Sequence, residues 1–299
     1  MFGWLSGKKK PTGPSSTPAP KLKKVNLAKR FTIVAETGQG SMSRVYRAVD
    51  NQSGRTVCLK IQDAAKTAAA NARSTSAGKL VEGEIAQRIH HPNVVKTFEY
   101  GLSAKGEHFL VMEYVDGVSL NYIRESRGLK LEEKLEILAQ AADALAAVHE
   151  AGFIHRDVGP KNLLVNRDDQ VKLIDFGLAV PNTPAFRRPG NRTGTLTYMA
   201  PELIRREPTD ERIDIFSFGM TACELLTGRF PYDVNVGDSM AVIRTRMNLE
   251  PHKLEEFAPN LPPDLCALIN RTLAKKPQDR WPKMSTLATA LRELPVVSR

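Results

Sequence analysis

Residues 155–162 read His155-Arg156-Asp157-Val158-Gly159-Pro160-Lys161-Asn162, and thirteen residues after that Asn the chain reads Asp175-Phe176-Gly177. Between them, Leu163–Asn166 and Val171–Ile174 read as short strands around the turn Arg167-Asp168-Asp169-Gln170. An Asp and an Asn five apart in one loop, then a further carboxylate after a strand, suit cation binding and proton transfer. Mg2+ prefers hard oxygen ligands and shares them with substrate phosphates. Any one of these residues alone reads as turn or capping chemistry, so the weight lies in their order along the chain.

Working toward the N-terminus, Gly38-Gln39-Gly40-Ser41-Met42-Ser43-Arg44-Val45 is a glycine-rich loop, and Val57-Cys58-Leu59-Lys60 follows it. A glycine pair alone reads as a plain hairpin turn. This one lies between two strands, which argues against a dinucleotide fold or a Walker loop and for a hairpin that covers phosphates. A lysine with apolar neighbours needs a partner for its charge or a route for its head to water. Phe31–Glu36, Arg44–Val49, Thr56–Ile61, Val94–Tyr100 and His108–Tyr114 read as strands. The Ala-rich stretch Ala64–Ala77 leads into a helix with Val81, Ile85 and Ile89 on one face. Toward the C-terminus the chain turns helical. Leu131–Glu150 is strongly amphipathic, Gly152 stops it, and Ile215–Leu226 is apolar on nearly every side, as a core helix is. Two or three further helices are expected up to about Leu294.

The composition is that of a globular chain of 299 residues, 41% hydrophobic and 25% charged, with a net charge of +10. That charge is local. Residues 1–30 hold eight Lys and Arg and no acid, which leaves 35 basic and 33 acidic residues, a net +2, in 31–299. A globally basic nucleic-acid-binding body is therefore excluded. Residues 7–24 are rich in Lys, Pro, Ser, Thr and Gly and are read as disordered. The longest charge-free run, Phe176 to Phe186, has eleven residues and two prolines, against the ~20 apolar residues a spanning helix needs. Met1–Leu5 is too short for a signal peptide, and the basic run follows it. Cys58, Cys223 and Cys266 form neither a zinc spacing nor a disulfide set, which fits a reducing cytoplasm.

With Ala200-Pro201-Glu202, Asp214 and Arg280 added, the sequence resembles the eukaryotic-type (Hanks-type) serine/threonine protein kinase domain over about residues 31–294, in the form bacteria carry. The resemblance implies an α+β, bilobal protein-kinase-like fold. Its N-lobe is a small antiparallel sheet with one main helix, and its C-lobe is mainly helical. The implied division is 1–30, a basic Pro/Ser-rich disordered tail; 31–115, the N-lobe and hinge; and 116–299, the C-lobe. It implies ATP as phosphoryl donor with Mg2+, or Mn2+ in its place. Gly38, Gln39 and Gly40 would cover the phosphates. Lys60 would bind them and pair with Glu82, which helix phase and the ten-residue distance to Pro92 favour over Glu84. Asp157 would orient the acceptor hydroxyl and take its proton, and Asn162 and Asp175 would hold the metal. Met112 would be the gatekeeper and the backbones of Glu113 and Val115 the adenine partners. Val45, Cys58 and Leu164 would sandwich the ring. His155, Phe176 and Ala86 would stack as packing residues, Glu202 and Arg280 would form a buried ion pair, and Asp214 would anchor the catalytic loop.

The chain departs from the family pattern at Ser43, at Cys58 and above all at Gly159, where serine/threonine kinases place a lysine two residues after the catalytic Asp. Lys161, four residues after Asp157, stands as its substitute, beside the plainer reading of a solvated loop lysine. Gly194-Thr195-Leu196-Thr197-Tyr198 resembles the serine/threonine form, with Thr195 bonded to the catalytic Asp. Arg156 marks a kinase whose guanidinium awaits an activation-loop phosphate, with Thr193 the first candidate acceptor and Thr183 the second. The implied partners are ATP, protein substrates with Ser or Thr, and a second copy during autophosphorylation, with no specific nucleic acid. A pseudokinase scaffold is the competing class; a small-molecule phosphotransferase lacks the peptide platform. For the tail, a solubilising linker ranks ahead of contact with a membrane surface of anionic lipid or with nucleic acid and ahead of autophosphorylation at Thr12, Ser15, Ser16 and Thr17.

Overall fold

The structure, a computed structural model, describes residues 24–39, 43–63, 80–126, 128–189 and 193–295. Gly40, the Ala-rich stretch through Ala77 and the tail before Lys24 lie outside the described residues, as do the side chains of Gly38 and Gln39.

The N-terminal unit opens with β1 (Lys24–Val25) and α1 (Leu27–Arg30), followed by β2 (Phe31–Gln39), β3 (Ser43–Asp50) and β4 (Thr56–Gln62). Then come α2 (Glu82–Ala86), β5 (Thr97–Ser103) and β6 (His108–Glu113). The strands form one sheet in the order β1-β5-β6-β4-β3-β2. All its pairings are antiparallel except β1 on β5, where Lys24 faces Leu102 and Val25 faces Ser103. Alternate residues point to opposite faces of a strand. Val57, Leu59, Phe109 and Val111 thus join Phe31 and Ala48 in the small core of this lobe. Cys58 and Lys60 fall on the other face, and Cys58 packs against the main core.

The disorder expected through residue 30 does not extend to its last seven residues. Lys24 to Arg30 form β1 and α1 because Val25 and Leu27 pack onto the small core, and Asn26 caps the helix by accepting the Lys29 amide at 3.2 Å. Composition averaged over thirty residues hid this short apolar segment. Arg30 then clasps the sheet. Its guanidinium donates to both Asp50 oxygens (3.3 and 3.2 Å) and both Glu99 oxygens (2.9 and 2.8 Å), tying β3 to β5.

The C-terminal unit contains β7 (Gly117–Ser119), α3 (Leu120–Ser126), α4 (Leu131–Glu150), β8 (Phe153–Ile154), β9 (Leu163–Asn166), β10 (Val171–Leu173) and β11 (Val180–Pro181). The helices α5 (Pro201–Ile204), α6 (Arg212–Thr227), α7 (Ser239–Asn248), α8 (Leu254–Phe257), α9 (Pro263–Thr272) and α10 (Met284–Arg292) complete it. Among the described residues four α-helices thus follow α6, where two or three were expected. Helix α6 is buried from Ile213 to Leu226, as its all-round apolarity requires. After α4, Gly152 turns the chain at φ 83° into β8. Because β8 pairs with β11, the chain between them is closed at its base, and it carries the 155–162 segment, the β9–β10 hairpin and Asp175-Phe176-Gly177, with Val158, Leu163, Val171 and Phe176 anchored in the main core. Strand β10 also anchors the N-terminal unit. The Leu173 amide donates to Asn93 O at 2.7 Å, and the Val95 amide to Leu173 O at 2.9 Å.

The Arg30 clasp yields a stability prediction. Arg30→Ala will lower the unfolding free energy by about 1–2 kcal/mol, since Glu99 is partly solvated and charged hydrogen bonds are worth about that much. Arg55→Ala, at an exposed turn, will change it by less than about 0.5 kcal/mol. Equal chemical-denaturation midpoints for both variants would contradict the clasp.

Candidate active site

On β4, Lys60 is 7% exposed, and its Nζ lies 2.7 Å from Glu82 and 2.8 Å from Asp175. Burial opposes the charge on Lys60, but the two carboxylates outweigh it and hold the ammonium above its ordinary range. Burial likewise pushes the Asp175 carboxyl up, and the adjacent ammonium brings it down to about 2. Glu82 reaches Lys60 because the next residue is glycine. A Cβ on Gly83 would stand 2.3 Å from Tyr100 Cβ, so α2 approaches β5 only without one. The second Glu82 oxygen accepts from Gln62 Nε2 at 2.7 Å.

The 155–162 loop is hung from α6. Asp214, fully buried, accepts the His155 amide at 2.7 Å, the Arg156 amide at 2.8 Å and His149 Nε2 at 2.9 Å. Arg156 takes a left-handed φ of 70°, a strained conformation that this grip on consecutive amides stabilises. The His155 ring meets Phe176 edge-on at 5.2 Å. Asn162 donates through Nδ2 to the Asp157 carbonyl (2.7 Å) and carboxylate (3.0 Å), while the Ile174 amide donates to the Asn162 carbonyl at 2.9 Å.

Asp157 is therefore fixed from several sides. Lys161 Nζ lies 3.0 Å from Oδ2, and Thr195 donates to Oδ1 from its amide (2.9 Å) and its hydroxyl (2.8 Å). Burial would raise this carboxyl, but Lys161 and Thr195 hold it below the usual carboxylate range. Gly194 permits the contact. It has φ 115°, and a Cβ there would meet the Arg156 carbonyl oxygen at 2.5 Å.

On the sheet face that carries Lys60, Val45 pairs with Lys60 and Cys58 with Met112. Burial pushes the Cys58 thiol up to about 11, which disfavours its thiolate. Leu164 on β9 pairs with Lys172. The Glu113 side chain, silent in the sequence, is held at 2.9 and 3.1 Å by Lys172 and at 2.7 Å by the Lys96 amide. Val115 packs partly buried against the main core.

Downstream of Asp175, Asn182 and Arg187 are tied to each other at 2.8 Å, and Asn182 to Glu211 at 2.5 Å. Thr183 is exposed there, whereas the Thr193 hydroxyl is buried without a hydrogen-bond partner among the described residues. Glu202 and Arg280 form a buried bidentate pair at 2.7 and 2.8 Å. Tyr198 donates to Glu224 at 2.6 Å, and Arg124 bonds the other oxygen of that carboxylate. Sequence reasoning missed Gln62, Lys172, Arg124 and Glu224; none sits at a spacing that announces its partner.

A divalent cation would find oxygen donors here. Asn162 uses its Nδ2 on Asp157, which leaves its side-chain Oδ1 as a candidate ligand, and Asp175 engages Lys60 through one oxygen. Among the described residues no group of three or more His, Cys, Asp or Glu could hold a metal. A cation shared with substrate phosphates suits this sparse, hard donor set. Among the described residues no helix is long and apolar enough to cross a membrane.

The protein kinase domain family model matches residues 31–291. The chain is 30% identical over 267 residues to the probable serine/threonine-protein kinase pknA2 of Bifidobacterium longum, covering 89% of this chain and 35% of that protein. It is 32% identical to serine/threonine-protein kinase pkn3 of Myxococcus xanthus, covering 85% of this chain and 48% of the relative. It is 32% identical to serine/threonine-protein kinase PknA of Mycobacterium tuberculosis, at 89% and 62%. The chain thus spans about a third to two thirds of the length of these relatives. A match over most of the sequence, on a structure whose buried Lys60 is paired with Glu82 and Asp175, places the chain in the protein kinase domain family.

Proposed function

We propose that the chain is an active serine/threonine protein kinase, which transfers the γ-phosphoryl group of ATP to Ser or Thr hydroxyls of proteins, its own included. The observation that carries the reading is the Asp157 carboxylate, held at 2.8 to 3.0 Å by Thr195, Lys161 and Asn162, the first two of which also hold it below the usual carboxylate range. The acceptor hydroxyl forms its new O–P bond as the bond to the ADP oxygen breaks. The acceptor proton passes to Asp157, and ADP leaves with the electron pair. Lys60, steadied by Glu82, binds donor phosphates; Asn162 and Asp175 would hold Mg2+, which neutralises charge on those phosphates when bound. The serine/threonine names of the relatives and the Thr195–Asp157 contact both support the acceptor class.

Lys161 supplies the cation that Gly159 cannot. It spans four residues to the carboxylate, so its ammonium is available to the same phosphate that a lysine at 159 would reach. Activation-loop regulation is better served by Thr183, which is exposed, than by Thr193, whose hydroxyl is buried.

Three outcomes follow. Asp157→Asn will lower kcat on a Ser/Thr peptide by at least about a hundredfold, as loss of a general base does, with ATP binding retained in a thermal-shift assay. Equal phosphate incorporation by variant and parent would refute the assignment. Lys161→Ala will lower kcat by about tenfold, the scale of one lost charged contact, and adding Gly159→Lys to it will restore most of the loss. A double variant no faster than Lys161→Ala would show that Lys161 is only a solvated loop residue. The pH profile gives a third measurement. With Asp157 depressed, the acid limb of kcat lies below the usual carboxylate range, and it will move to higher pH in Lys161→Ala. An unmoved limb would separate Lys161 from Asp157.

A further inference from the structure

Arg246 on α7 is 2% exposed, yet no carboxylate among the described residues lies within ion-pair distance of it, and its Nε has no hydrogen bond. Its guanidinium carbon sits 4.2 Å from the Tyr232 ring centre and 5.3 Å from that of Phe216. Nη2 donates to the Thr197 carbonyl at 2.8 Å, and Nη1 contacts Met220 Sδ. Burial holds the guanidinium below its ordinary range.

A cation buried without a counter-ion is costly, and an apolar side chain of similar volume often packs as well or better. Two aromatic faces offset part of that cost. What an apolar side chain between Tyr232 and Phe216 could not do is hold the Thr197 carbonyl. Thr197 is the middle of the 3-10 turn Leu196–Tyr198. Two residues before it, Thr195 bonds Asp157 twice; next to it, the Tyr198 ring lies 3.4 Å from where a Cβ of Gly159 would be. One carbonyl thus ties α7 to both sides of the loop against which an acceptor hydroxyl must lie.

We infer that Arg246 is a positioning residue for the protein acceptor, fixing through the Thr197 carbonyl the loop that presents the hydroxyl to Asp157. The role rests on the kinase reading above and goes beyond it, since Arg246's contacts are with Thr197, Met220, Phe216 and Tyr232 and with no residue of the Lys60 cluster. A brace on this loop acts on acceptor binding and leaves ATP binding alone. A merely structural residue would move both together with the melting temperature.

The test compares Arg246→Met and Arg246→Lys in the full chain. Arg246→Met is expected to raise the KM for a Ser/Thr peptide about tenfold, with the KM for ATP within twofold and Tm unchanged or higher. Arg246→Lys, which keeps a donor, should recover part of the loss. Hydrogen exchange read without nucleotide makes the test independent of turnover: amides 195–199 should exchange about tenfold faster in Arg246→Met while those of α6 do not. Unchanged exchange in the loop, or peptide and ATP constants that shift together with Tm, would overturn the role. If Arg246→Met fails to fold, the same two readouts on Arg246→Lys decide, and parental exchange and KM values there would also overturn it. Absence of transfer by the parent chain, with faster loop exchange in the variant, would sink the kinase reading and spare the brace.

Discussion

The Lys60 ammonium is buried, and an ammonium taken out of water without counter-charge costs several kcal/mol. Two carboxylates from opposite units of the chain offset that cost. Glu82 comes from α2 beside the N-terminal sheet and Asp175 from the end of the β9–β10 hairpin. The pair thus couples the placement of both units to one charge. Removing either partner leaves the other side with an incompletely compensated ion, which is why a lysine on a strand fixes where α2 and the end of the hairpin meet the sheet. The supports are specific: glycine at 83 for close helix approach, Gln62 on the second Glu82 oxygen, and a left-handed Asp175 at φ 65° that turns its side chain onto Lys60.

A second buried charge works on the backbone. Asp214 spends its oxygens on the amides of His155 and Arg156, so the residue just before Asp157 is held from the centre of the C-terminal unit. Asp157 then takes its orientation from Asn162, Lys161 and Thr195. The site is preorganised because Lys60 is held by buried Glu82, and Asp157 by buried Asn162 on a loop tied to α6 through Asp214, which is what electrostatic catalysis requires.

Much of this was legible in the sequence because the loop 155–162 and the 175–177 triplet are local patterns, and local patterns survive in one dimension. Helix phase identified Glu82 over Glu84, and the structure gives Glu82, not Glu84, the contact with Lys60. Strand limits shifted by a few residues: Val94–Tyr100 became Thr97–Ser103, since Asn93–Val95 bond β10 instead of continuing the sheet. The partners of Glu113, Glu224 and Arg246 were not legible, because each contact joins residues separated by tens of positions with no periodicity between them. The segment Lys24–Arg30 was misread for a different reason. Its order comes from two apolar side chains and one clasp, too small a signal to change the average of a basic, Pro/Ser-rich stretch.

The +10 of the whole chain therefore says little about its chemistry, which depends on charges paired within a nearly neutral domain. Whether those pairs carry phosphoryl transfer is decided most directly by tandem mass spectrometry of the full chain after incubation with Mg-ATP. The account predicts phosphate on serine and threonine, with Thr183 among the modified residues, and none on a Lys60→Met chain treated alike. A parent chain that binds Mg-ATP by thermal shift and yet gains no phosphate, on itself or on an added acceptor, would contradict it.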